Sequence, residues 1–65
     1  MTTGDVHTFC RYDYWLNEIE GSQSLRLQVE RTKKAAVTAG RRLARSRGVT
    51  QVIHNRRGDV EARVR

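Results

Sequence analysis

From Asp5 to Tyr12 the chain alternates in character. Val6, Thr8, Cys10 and Tyr12 fall on one side of a period of two, and His7, Phe9 and Arg11 fall on the other. β-branched and aromatic types dominate, so this segment is expected to be a strand. A turn is expected around Asp13. Beyond it Trp15, Asn17 and Ile19 alternate with Leu16, Glu18 and Glu20, which predicts a second strand paired with the first. Gly21-Ser22-Gln23-Ser24 ends it. Leu25, Leu27 and Val29 then alternate with Arg26, Gln28 and Glu30. That spacing fits a short third strand better than an N-terminal extension of the following helix, because strict alternation does not lie on one helical face.

At Thr32 the period changes. Thr32 is placed to cap a helix running to Arg47, whose interior is rich in Ala, Lys, Arg and Leu. Gly48 supplies the stop, and Arg45 and Arg47 in the last turn complement the helix dipole. Stepping about 100° per residue places Ala36, Ala39, Gly40, Leu43 and Ala44 on one stripe. The stripe is mostly small, so the helix is expected to lie close to a sheet with Leu43 as its largest anchor. Lys34, Arg41 and Arg45 project opposite, with Thr38 among them and Arg42 at the edge. Val49 to His54 reads as a strand, Asn55-Arg56-Arg57-Gly58 as a tight hairpin, and Val60, Ala62 and Val64 as the inner positions of a last half-buried strand. The expected fold is α+β: a small antiparallel sheet in the order β-β-(β)-α-β-β with one helix on one face. Residues 1–65 form one domain, with 1–4 expected to be flexible.

The spacing of several of these residues resembles a short bacterial family, domain of unknown function 2188. The resemblance rests on Trp15, Gly21, Thr32-Lys33 opening a helix, Ala36-Val37, Gly40-Arg41, Leu43-Ala44-Arg45, Val52-Ile53-His54-Asn55 and the Gly58 hairpin. It spans residues 5–63. It implies a compact sheet with one packed helix and implies no activity. The hairpin departs from the family pattern: an acid usually precedes the turn glycine, where this chain has Arg57. The change raises the positive charge at the tip.

Size and charge narrow the function. At 65 residues, folding removes only roughly 60% of the surface an unfolded chain exposes, so the core is thin and self-association is a natural supplement. Cys10 is the only cysteine, which excludes an internal disulfide and a cysteine-rich zinc site, and points to a reducing compartment such as the cytoplasm. No stretch approaches the roughly 20 apolar residues of a membrane span. The net charge is +6, and it is uneven: −3 over residues 1–30 and +9 over residues 31–65. That step points either to a polyanion-facing side or to a plain solubilising surface.

The candidate nucleic-acid-binding residues follow from this step: Lys34, Arg41, Arg42 and Arg45 on the helix, and Arg56 and Arg57 on the hairpin tip. A solvated basic helix and an ordinary polar turn are the plainer readings. No Asn or Gln accompanies the helix cations, so any nucleic-acid binding is expected to have weak sequence preference. Tyr12, Tyr14 and Trp15 form an aromatic group that serves either an interface, including base stacking, or the core; a domain this small is expected to spend its Trp on the core. His7, His54 and Cys10 have no metal-ligand spacing, and Cys10 has no orienting partner for nucleophilic chemistry. No catalytic residue, cofactor, metal or small-molecule substrate is expected. The competing function is a protein-interaction or regulatory module, bacterial or phage, that forms a homodimer or docks on a larger partner through its open sheet face.

Overall fold

A computed structural model describes residues 4–21 and 28–65. Five strands and one helix follow in the order β1 (Val6–Arg11), β2 (Tyr14–Ile19), β3 (Gln28–Glu30), α1 (Lys33–Arg47), β4 (Gln51–His54) and β5 (Val60–Val64). In space the strands run β3-β2-β1-β4-β5. The fold is therefore α+β, as expected. The sheet is mixed rather than antiparallel throughout, because β1 and β4 pair in parallel. The helix carries the chain from the end of β3 back along the sheet, so β4 starts at the edge where β1 starts. The third strand occupies Gln28–Glu30; residues 25–27, also assigned to it from the alternation, and residues 1–3 lie outside the described residues.

The local signals act where expected. Tyr12 and Asp13 form a two-residue connection with both φ values positive, 53° and 67°, the twist that suits a tight hairpin. Thr32 caps α1 by accepting a hydrogen bond from the Ala35 N–H at 3.1 Å. The Asn55 carbonyl accepts from the Gly58 N–H at 3.0 Å, and its side-chain Oδ1 accepts from the Arg57 and Asp59 N–H groups at 2.9 and 3.1 Å. Gly58 then takes φ 94°, which closes the turn into β5 without a Cβ clash. No helix among the described residues is long and apolar enough to cross a membrane.

Strand parity divides the sheet into two faces. The pairings Thr8↔Asn17, Cys10↔Trp15 and Thr8↔Ile53 place these residues under the helix. There the helix presents Ala36, Gly40 and Ala44, all buried. Leu43, expected to be the main anchor, is only half-buried. The reason is what lies below Gly40. Thr8 Oγ1 donates to Asn17 Oδ1 at 2.5 Å, and Gln51 Nε2 donates to Thr8 Oγ1 at 3.0 Å. The amides of Asn17 and Gln51 also donate upward, to the Ala36 and Val37 carbonyls at 2.9 and 3.0 Å. Contact this close requires the helix backbone itself to approach the sheet. A Cβ on Gly40 would meet Asn17 Oδ1 within contact distance and would lie 2.7 Å from both Gln51 Nε2 and Thr8 Oγ1.

On the edge, β5 is mostly exposed, with only Val64 partly covered, because the helix runs over β1 and β2 and leaves that flank open. The expectation of a half-buried final strand is corrected accordingly. A bulge where Val60 and Glu61 oppose His54 turns Glu61 towards the helix side, and its Oε1 accepts from Lys33 Nζ at 2.5 Å.

Gly40→Ala tests the close approach through the sign of its effect. In a solvent-facing helix, Ala in place of Gly stabilises by about 1 kcal/mol. Here the overpacking and the broken trio are expected to outweigh this and destabilise by about 2–4 kcal/mol. That is a large share of the roughly 3–10 kcal/mol expected for a chain of this length. Urea unfolding followed by circular dichroism measures it, and an unchanged or higher midpoint contradicts the packing.

Candidate functional site

Docking by Ala36, Gly40 and Ala44 fixes the rotation of α1 and so decides which side chains face water. Lys34, Thr38, Arg41, Arg42 and Arg45 are all exposed. Shallow depressions on the helix surface join them: Lys34 and Arg42 flank Thr38, and Arg41, Arg42 and Arg45 share the next recess. From Lys34 to Arg45 the row runs about 16 Å along the axis, at 1.5 Å per residue. Among the described residues, no carboxylate forms an ion pair with any of these four cations. Lys33, one position earlier, is different. It is held by Glu61 and lies 5.7 Å from the Trp15 ring centroid.

The hairpin-tip arginines belong to another region. Both are exposed, at the edge of the sheet where β1 and β4 end and α1 begins. Arg56 Nη1 lies 3.5 Å from Asp13 Oδ1, which ties the tip to the β1–β2 turn. Of the aromatic group, Trp15 is buried under the helix, while Tyr12 is 86% exposed and Tyr14 is half-exposed. Parity explains the split, since Trp15 shares a face with Asn17 and Tyr14 shares the other with Leu16. Tyr12 also holds a positive φ, which a bulky side chain adopts only at an energetic cost and which Asn or Gly adopts easily.

The second face of the sheet carries Phe9, Leu16, Val29, Val52 and Val60, with no described element packed on it. Val29 and Val60 are exposed there. Arg11 lies over the Phe9 ring at 5.4 Å. On the same face His7 Nδ1 and His54 Nε2 meet at 2.9 Å. The Gly58 carbonyl, 3.2 Å from His54 Nδ1, can only accept. His54 Nδ1 therefore donates to that carbonyl. His7 Nε2 in turn faces Glu20 Oε2 at 3.8 Å. Ring centroids 5.2 Å apart with such a short nitrogen contact describe rings meeting edge to edge. Among the described residues, no group of three or more His, Cys, Asp or Glu converges to hold a metal ion.

One cationic residue outside the sequence-derived set joins the helix row. Arg65, just past β5, shares a cavity with Arg41 and Arg45. Its place in the strand alternation marks it as outward-facing, but its nearness to the end of α1 arises only from the fold.

These features define a small α+β domain with, among the described residues, a row of cations without acid partners on its one helix and a partly apolar opposite face. Residues 6–64 match the family of uncharacterised proteins conserved in bacteria, DUF2188, and the chain belongs to that family. No curated protein and no solved structure matches it.

The exposed, strained Tyr12 gives a second prediction. Tyr12→Asn is expected to stabilise the domain by about 0.5–1 kcal/mol by relieving the left-handed backbone. Thermal or urea unfolding reads the difference. A loss of stability would mean that the phenol ring packs on the domain.

Proposed function

We propose that this domain is a non-catalytic module that binds nucleic acid through its helix, with weak sequence preference. The observation that carries the reading is the outward row of Lys34, Arg41, Arg42 and Arg45, none of which is paired with an acid among the described residues. A row about 16 Å long, at 1.5 Å per helical residue, suits successive phosphates of a backbone. Each phosphate contact releases condensed counterions. The exposed surface of this row offers Thr38 and no amide side chain, so it contacts phosphates more readily than it distinguishes base edges. Arg56 and Arg57 contribute less in this reading, since Asp13 offsets the charge of Arg56.

A second reading, a protein-interaction module, is favoured by the exposed Val29 and Val60 on the two edge strands of the open face. Sedimentation at increasing concentration separates the two readings, because this one requires self-association or a protein partner.

The nucleic-acid reading is tested by fluorescence anisotropy with labelled duplex DNA, single-stranded DNA and RNA. Four phosphate contacts are expected to weaken duplex binding about a hundredfold between about 50 and about 200 mM salt. The double variant Arg41→Glu, Arg45→Glu is expected to lose at least about tenfold in affinity at low salt, whereas Arg57→Ala changes it little. Failure to bind any of the three at low salt overturns the proposal.

A further inference from the structure

We infer that the cavity between the C-terminal half of α1 and the edge strand β5 is a seat for a single phosphate group. The cavity is about 320 Å³ and is lined by Arg41 and Arg45 from the helix, Arg65 after β5, the apolar side chains of Ala44, Val49 and Val64, and Gln51. No acidic residue lines it. The inference rests on the reading of the helix as polyanion-facing, and it adds a discrete site with a defined ligand chemistry.

Three guanidinium groups around one small volume repel one another, and two of them, Arg41 and Arg45, stand one helical turn apart on the same face. An anion between them reverses the sign of that interaction. Guanidinium groups are planar forks that match pairs of phosphate oxygens, so three of them suit a phosphate better than a carboxylate. The apolar wall leaves room for part of the group that bears the phosphate. The end of a helix ordinarily repels anions through its free carbonyls. Here that effect is reduced: the Ala44 carbonyl accepts from the Val49 N–H at 3.0 Å and the Arg45 carbonyl from the Gly48 N–H at 3.2 Å.

Gln51 supplies an independent observation. Its side chain is fully buried, and its Nε2 is held by Thr8 and Val37. Its Oε1 is the one buried side-chain polar atom without a hydrogen-bond partner among the described residues. Buried acceptors are normally satisfied; this one lies just behind the cavity wall with almost no accessible surface, so a hydrogen-bond partner reaches it from the cavity only when neighbouring side chains shift. The same residue therefore holds the helix through one end of its amide and leaves an unused acceptor at the other.

The phosphate could belong to a free phosphomonoester, to the end of a nucleic-acid strand or to its backbone, and the test separates these sources. Amide chemical shifts of the full chain are followed by NMR during titration with inorganic phosphate, then with one short oligonucleotide bearing either a 5′-phosphate or a 5′-hydroxyl. Saturable shifts at Val49, at the Gln51 side-chain amide and at Arg65 are expected. A preference of about tenfold for the 5′-phosphate form, the value of one added charge-assisted contact, assigns the seat to terminal phosphates. Equal binding of the two forms, with the same residues shifting, assigns it to backbone phosphates. A response to inorganic phosphate with no response to either oligonucleotide assigns it to free phosphomonoesters. Arg65→Ala, on an exposed residue whose loss leaves the core intact, is expected to abolish the saturable response. Arg65→Lys, which keeps the charge and loses the fork, is expected to weaken it. Non-saturating shifts, or shifts unaltered in Arg65→Ala, overturn the seat while leaving duplex binding by the helix row in place. Loss of duplex binding at low salt with a surviving phosphate response removes the nucleic-acid reading and keeps the seat.

Discussion

Two carbonyls near the start of α1, those of Ala36 and Val37, accept amide protons from side chains that rise out of the sheet, Asn17 and Gln51. Each carbonyl has a second lone pair beyond its intrahelical bond, so the helix loses nothing by accepting. The contact is feasible only because Gly40 leaves a gap above the Thr8–Asn17–Gln51 trio. An apolar interface would let the helix slide or rotate among near-equivalent packings. A hydrogen-bonded one has a single register, since any other leaves several buried polar atoms unpaired. This matters in a domain whose core contains few large apolar side chains: Val6, Trp15, Leu16, Val52 and Ile53 are the buried ones, with Ala36 and Ala44 beside them. Everything on the outer side of α1, including the orientation of its cations, is set by that inner contact.

The parts of this architecture that depend on short-range periodicity were legible in the amino-acid sequence. The alternation in β1 and β2, the Thr32 cap, the Gly48 stop and the outward line of Lys34, Arg41 and Arg45 all follow from spacing and propensity. What depends on distant neighbours was not. The parallel pairing of β1 with β4 brings together residues more than forty positions apart, and no local signal encodes it. The small stripe on the helix was visible, but its reason was not. Gly40 looks like one more small residue until Asn17 and Gln51 are placed beneath it, and Leu43 looks like the anchor until the helix is seen to be held by polar contacts. Trp15 and Tyr14 are adjacent in sequence and belong to opposite faces. Arg65 joins Arg41 and Arg45 only because β5 returns to the edge where α1 ends.

The charge layout has a direction that net charge conceals. Near the start of the helix two cations face acids, Lys33 with Glu61 and Arg56 with Asp13, while Lys34 and Arg57 have no acid partner among the described residues. Towards the other edge Arg41, Arg42, Arg45 and Arg65 accumulate without acid partners among the described residues. The basic second half is therefore not cancelled uniformly: one of its own acids, Glu61, and one acid of the first half, Asp13, each quench a cation near the start of the helix. Surface ion pairs of this kind add little stability, but each one removes a source of positive potential. The field that remains is concentrated over the last turns of the helix and the adjoining strand edge. An extended polyanion would meet weak attraction near Lys33 and strong attraction near Arg45. That gradient is the physical ground for proposing an anchor at the cavity between α1 and β5 in place of contacts spread evenly along the helix.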